Sequence, residues 1–335
     1  MLNVAINGFG RIGRNFLRTV LLDSDAQKKI KVVAINVGPT KKESIAHMFK
    51  YDTIMGTYPA NVTLEADELI IDTTRIRIFS EKEPQLLPWQ SLNIDWVIEA
   101  SGHFTHRQGA ELHRQAGSGN VLISAPAKDE DITIIPGVND AAFNAAVHHI
   151  VSLGSCTTNA LVPTLKVLDD AFGIQNGCMT TVHAYTNTQV LLDVEGEDIR
   201  RSRAAALNII PTSTGSAKVL GKILPQLADR IEVTAIRVPV AIVSLIDLTF
   251  ISTKTVTTAT INEAFTQAKN GSMRGILDTT NEPLVSTDFK GNPHSVIIDT
   301  QLTATSGNHM GKVFGWYDNE WAYSVRLKDF LVSIT

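Results

Sequence analysis

Apolar positions in the first 150 residues fall into short β-branched runs separated by stretches of helical spacing. Val4–Ile6 reads as a strand, a helix follows to about Leu22, and Lys31–Asn36 reads as the next strand. Trp96–Glu99, Val121–Ser124 and Ile150–Leu153 continue the series, while Leu64–Phe79 alternates as a hairpin does. Runs apolar on both faces, spaced by helices, predict a parallel sheet covered on each side. The pattern then changes. Cys178–Tyr185, Ile231–Arg237, Ser244–Ile251, Val296–Asp299 and Lys312–Tyr317 read as strands less regularly separated by helices, which predicts a mixed or antiparallel sheet. A polar, arginine-bearing stretch from Thr186 to Thr214 precedes a helical Ser216–Leu227, and its length marks a functional excursion. The predicted class is α/β, with an N-terminal domain on a parallel sheet and a C-terminal α+β domain on the mixed one.

Composition narrows the functions without selecting one. The 335 residues are 44% hydrophobic and carry a formal charge of −4, so nothing global draws the chain to nucleic acid or anionic membrane. Small molecules are the expected partners. Cys156 and Cys178 are the only cysteines, which argues against a disulfide framework and for a reducing, cytoplasmic setting. The opening residues have no basic segment followed by a long apolar run, and Val238–Phe250 is interrupted by Pro239, Ser244 and Asp247, so neither a signal peptide nor a membrane span is expected.

Gly8-Phe9-Gly10-Arg11-Ile12-Gly13 lies directly after the first strand and before a helix. There the first glycine permits the tight turn, the second lets the backbone approach a pyrophosphate, and the third allows close helix–strand packing, so the expectation is a Rossmann-type dinucleotide site, with an ordinary glycine turn as the alternative. Asn36-Val37-Gly38 ends the second strand without the carboxylate that would bind the 2′-hydroxyl of NAD and repel a 2′-phosphate. Val37 therefore leaves both NAD and NADP admissible, with Lys41 and Lys42 as sources of positive charge or as ordinary surface residues.

Cys156 stands where an apolar run gives way to the helical pattern Thr158–Phe172, so its sulfur is expected at a helix N-terminus, a setting that favours thiolate. His183, 27 residues on, is the expected base that lowers the thiol further. Cys178, with no such context, is read as buried and inert. No Cys-x-x-Cys, His-Glu-x-x-His or Gly-x-Ser-x-Gly spacing is present, so neither a metal site nor a serine elbow is expected.

Together, Asn7–Arg14, Ser155–Asn159, His183–Asn187, Arg200–Lys218, Arg237-Val238-Pro239 and Trp316–Trp321 closely resemble the phosphorylating glyceraldehyde-3-phosphate dehydrogenases across essentially the whole chain. The resemblance implies that Cys156 attacks the aldehyde, that His183 acts as base and then acid, and that inorganic phosphate captures the thioester. It implies further that Thr186 and Arg237 hold the substrate's C3 phosphate, and that Ser155, Thr157, Thr214, Gly215 and Arg201 hold the attacking phosphate. Asn319 would hold the nicotinamide amide with Tyr323 beside it; Arg11 and Ile12 would line the pyrophosphate and nicotinamide, and Ser101, Gly102 and Ser124 the far wall. A homotetramer is implied, with a dinucleotide domain of residues 1–153 and 317–335, its last helix packing back, and a catalytic domain of 154–316.

Three departures stand out. Val37 replaces an acid, as in NADP-using members, whereas Glu195, in the loop that reaches a neighbouring subunit's cofactor, disfavours a 2′-phosphate. Thr188 follows Asn187 where an aspartate is usual, which bears on the orientation of Arg237. The alternatives are erythrose-4-phosphate dehydrogenase, a sister with the same thiol chemistry, and a weakly active paralogue with a binding role.

Overall fold

The computed structural model describes residues 1–335, which form two compact units. The first comprises residues 1–134, 141–153 and 324–335, and the second residues 135–140 and 154–323.

The first unit is built on a nine-stranded sheet. Leu2–Asn7 pairs in parallel with Ile30–Asn36 on one side and with Trp96–Glu99 on the other, so the strand order reverses beside the first strand. A crevice opens outside the carboxyl ends of strands at such a reversal. Asn120–Ile123 and Ile150–Ser152 continue the parallel ladder, and the hairpin strands Val62–Glu65, Glu68–Ile71 and Thr74–Phe79 extend the opposite edge, with Thr74–Phe79 parallel to Ile30–Asn36. Burial on both faces explains the continuous apolar runs: Val4, Ala5, Ile6, Val97 and Ile98 are all inaccessible. The C-terminal residues complete this unit. Phe330 packs edge-on against Trp96 and Phe143, with centroids 5.7 and 5.2 Å away, and Lys328 pairs with Asp23.

The second unit carries an eight-stranded mixed sheet. Ile174–Ala184 lies at its centre, parallel to Ile231–Val238 and antiparallel to Ser244–Ser252, which in turn pairs with Met310–Tyr317. The helix Cys156–Phe172 lies against this sheet and buries twelve of its seventeen residues, including Leu161, Leu165 and Leu168. The helical stretch expected over Ser216–Leu227 breaks at Leu224: an α-helix spans Ser216–Ile223, and Pro225, which cannot donate to a continuing helix, starts a separate 3-10 turn.

Candidate active site

The cleft of the first unit is a cavity of about 870 Å³ at the strand reversal. Gly8, Gly10, Val37 and Ser101 line it, together with Phe9, Asn36, Lys41, Glu81 and Lys82. Gly8 has φ +94, and a Cβ on it would lie 2.4 Å from the Ser101 nitrogen, so only glycine fits there. A Cβ on Gly13 would lie 2.2 Å from the Gly8 carbonyl oxygen, whereas one on Gly10 would meet nothing within 4 Å. Gly8 thus makes the turn against Ser101, Gly13 lets the helix approach the strand, and Gly10 faces open space. The helix Arg11–Leu21 starts without a side-chain cap and without an acid in its first turn, so its N-terminus suits an anion. These features fit a dinucleotide.

Other expected cofactor residues stand back from the cavity wall. The Arg11 guanidinium pairs with Asp52, and Ser124 donates its hydroxyl to the Glu99 carbonyl at 2.9 Å. Ile12 is half-buried in the first helix, and Gly102, with φ +78, turns the chain after Ser101. Lys41 faces the cleft, but Lys42 is engaged by Asp67 at 2.8 Å, so one of the two candidate lysines is already neutralised.

In the second unit, Ser155 caps the cysteine helix by accepting from the Thr158 amide at 3.1 Å, and Cys156 is its first residue. His183 and Arg237 stand side by side in register on neighbouring parallel strands. Cys156 Sγ lies 3.5 Å from His183 Nε2, and Arg237 Nη1 lies 2.7 Å from His183 Nδ1 while donating to the Ala184 carbonyl at 2.9 Å. That carbonyl is also 2.7 Å from Nδ1. Arg237 can only donate, so the tautomer in which Nδ1–H donates to this carbonyl, leaving the Nε2 lone pair facing the thiol, requires Arg237 to turn away from Nδ1.

Opposing effects act on the thiol that the sequence leads one to expect depressed. Burial pushes the Cys156 thiol up, while the Arg237 charge and the Thr157 hydrogen bonds pull it down without prevailing. Burial and the Arg237 charge together lower His183 to about 3. Both directions disfavour the charged thiolate–imidazolium pair while Arg237 stands against His183.

A hydroxyl cluster adjoins the helix start. Ser155 Oγ is 2.8 Å from Thr158 Oγ1, and the buried Ser216 hydroxyl lies 3.4 Å from Ser155, 3.3 Å from Thr158 and 3.1 Å from Thr214. Gly215 caps the following helix, and Arg201 donates Nε to the Thr212 hydroxyl at 2.7 Å. Thr157 turns away from this cluster: its hydroxyl lies 2.9 Å from that of the buried Tyr317, which also reaches Thr181 at 2.8 Å. Thr186 is paired with Thr188, hydroxyl to hydroxyl, at 3.0 Å. The Ser244 hydroxyl accepts from the Ala184 amide at 3.1 Å and donates to Asn319 Oδ1 at 3.2 Å, and Tyr323 donates to the Gly154 carbonyl at 2.8 Å. Ser216, Ser244 and Tyr317 were not anticipated from sequence. Tyr317 at least was signalled, since alternation along Met310–Tyr317 turns it inward with Val313.

Cys178 is also corrected: it is exposed, not buried. Met179, Thr181 and His183 occupy the inner face of their strand, so the intervening Cys178 lies on the outer one.

Comparison with known proteins gives a consistent picture. Residues 2–107 match the family profile described as glyceraldehyde 3-phosphate dehydrogenase, NAD binding domain, and residues 155–319 match its C-terminal domain. The chain is 48% identical over 328 residues to glyceraldehyde-3-phosphate dehydrogenase 2 of Bacillus subtilis, covering 98% of this chain and 95% of that protein. It is 48% identical over 334 residues to glyceraldehyde-3-phosphate dehydrogenase 2 of Streptomyces avermitilis, covering 99% and 98%. It is 49% identical over 331 residues to the chloroplastic glyceraldehyde-3-phosphate dehydrogenase GAPB of Arabidopsis thaliana, covering 98% of this chain and 73% of that one.

Proposed function

The chain belongs to the glyceraldehyde-3-phosphate dehydrogenase family, and on that premise we propose how its own residues carry the reversible phosphorylating oxidation of glyceraldehyde 3-phosphate with NAD or NADP. The contact between Cys156 Sγ and His183 Nε2 at the start of a buried helix carries the reading. His183 takes the thiol proton, and the sulfur adds to the aldehyde carbon. His183 returns that proton to the carbonyl oxygen, giving the hemithioacetal hydroxyl, and then removes it as hydride leaves carbon 1. Bound NAD(P) supplies the hydride acceptor. The resulting thioester on Cys156 is cleaved by inorganic phosphate, which releases the acyl phosphate and restores the sulfur. The thioester retains oxidation energy that a carboxylate would release, so phosphate can capture it. Neither the erythrose-4-phosphate alternative nor the weakly active paralogue is favoured by relatives carrying the glyceraldehyde-3-phosphate name.

Arg237, with Thr186, would hold the substrate's C3 phosphate. Its forked donors suit that group, and turning toward it would relieve the crowding at His183 Nδ1. Ser155, Thr214, Gly215 and Arg201 surround the hydroxyl cluster and would receive the attacking phosphate, with Thr157 bracing them through Tyr317. Asn319, its Oδ1 committed to Ser244, would present its amide hydrogens to the nicotinamide carboxamide, with Tyr323 close by in sequence. Gly8 and Gly10 would cradle the pyrophosphate, with Gly13 letting the helix start close to the strand, and Ser101 would form the facing wall.

A homotetramer is the proposed assembly. Leu191, Leu192, Val194, Ile199, Leu207 and Ile209 of the polar excursion are 55–85% exposed, a concentration of apolar side chains that a free surface rarely carries. Light scattering giving a monomer would overturn it. A cytoplasmic setting is proposed from the sparse cysteines, and no helix is long and apolar enough to cross a membrane. Initial rates with glyceraldehyde 3-phosphate and phosphate, titrating NAD and NADP separately, test the whole reading. Wild type should turn over and Cys156→Ala should not; no turnover with either cofactor would sink it.

A further inference from the structure

Beneath the dinucleotide cleft runs a buried polar chain that no step above uses. Glu99, ending the strand Trp96–Glu99, and His113, on the helix Arg107–Gln115, are 1% and 0% exposed. The Glu99 carboxylate accepts from Asn7 Nδ2 at 2.6 Å, from His113 Nε2 at 3.0 Å, from the Ser101 amide at 2.8 Å and from the Ser101 hydroxyl. The Trp89 indole N–H, which can only donate, points at His113 Nδ1 from 3.1 Å. Nδ1 therefore accepts, and the imidazole proton sits on Nε2, facing the carboxylate.

The same logic orders the amides. A carboxylate only accepts, so Asn7 offers it the amide nitrogen and turns its oxygen to Asn36 Nδ2 at 2.7 Å. Asn36 in turn presents Oδ1 to the Glu81 amide at 2.8 Å and to the Gly38 amide at 3.4 Å, while its Nδ2 also donates to the Glu81 carbonyl at 2.9 Å. Gly38 and Glu81 line the cleft. At the other end of the chain, Ser101 is held where its backbone crowds Gly8.

We propose that Glu99 is a positioning residue for the cofactor: its buried carboxylate sets the direction of the Asn7–Asn36 amide chain and so fixes the Gly38 and Glu81 rims that receive the adenosine half. The inference rests on reading the cleft as the NAD(P) site. Glu99→Gln would place an amide NH2 among groups that all donate to position 99. Placed at Oε2, away from the Ser101 amide, that NH2 meets both Asn7 and His113, so relief requires Asn7 to flip as well as His113 to change tautomer against Trp89. A flip of Asn7 forces Asn36 to flip and turns an NH2 toward the Glu81 amide.

The test uses the full chain in a Cys178→Ser background, comparing Glu99→Gln and Asn36→Ala with the parent. Binding of ADP-ribose, which lacks nicotinamide, is measured by calorimetry, alongside cofactor KM, kcat and iodoacetamide alkylation of Cys156. The expected result is ADP-ribose binding weakened about tenfold in both variants with a parallel rise in cofactor KM, the size of one misplaced hydrogen bond. At saturating cofactor, kcat should hold within about twofold, as should the alkylation rate, because only uniform binding is lost. Unchanged ADP-ribose affinity in Asn36→Ala, or a Glu99→Gln protein that melts earlier yet binds ADP-ribose as the parent does, would overturn the proposal. A parent that binds neither ADP-ribose nor NAD(P) would instead remove the cofactor reading and this inference with it.

Discussion

His183 and Arg237 occupy neighbouring register positions, and each alters what the other can do. The Arg237 charge lowers the Cys156 thiol and His183 alike, so Arg237→Leu should let the thiol rise further and slow iodoacetamide alkylation of Cys156 at neutral pH, read against a Cys178→Ser background. The same variant should raise KM for glyceraldehyde 3-phosphate far more than KM for unphosphorylated glyceraldehyde. His183→Asn should cost about 10²–10⁴ in kcat, the usual range for a positioned acid–base group, with cofactor KM little changed. Cys156, His183 and the glycine turn were legible because their chemistry needs those residue types beside a strand or helix end. Cys178 was misread by weighing motif context over alternation: counting in twos from His183 would have put it on the exposed face.

Helix starts and strand ends place the chemistry, and they differ in how openly the sequence announces them. Trp96–Glu99 and Val296–Asp299 match their sequence-read limits, because runs buried on both faces have sharp polar borders. The strands Ile210–Thr212 and Ala304–Ser306 went unread, since three residues carry too little periodicity to register. Ser155 caps the cysteine helix through the Thr158 amide, so Ser155→Ala should cost about 1 kcal/mol of stability in urea unfolding, besides any effect on phosphate turnover. Gly13→Ala should be far worse, because the new methyl meets backbone at 2.2 Å. Calorimetry should show cofactor binding lost with it, whereas Gly10→Ala, with open space around its Cβ, should fold normally and affect binding alone.

At the scale of the whole molecule, buried ionisable groups tie stability to pH. His183 is held near 3 in the folded protein against an ordinary 6.5. Between those values the unfolded chain takes up a proton at this position that the folded chain refuses, so this contribution is fully present above about pH 6.5 and is lost on acidification toward 3. Urea midpoints of His183→Asn should accordingly fall less between pH 7 and 4 than those of wild type. The division into two units was only coarsely legible: the shift from regular to irregular strand spacing marks the change near residue 154, but no local pattern discloses that residues 135–140 belong with the second unit. Nor does the first unit end where its parallel strands end. Phe330 packs edge-on against Trp96 and Phe143, and Lys328 pairs with Asp23, so residues made after the second unit finish a core begun by the first. During synthesis, the N-terminal unit must therefore wait until residues 324–335 have left the ribosome, keeping the Phe330 side of Trp96 uncovered throughout translation of the second unit, and a nascent chain stalled short of residue 324 should present a substrate for chaperones rather than a finished nucleotide fold.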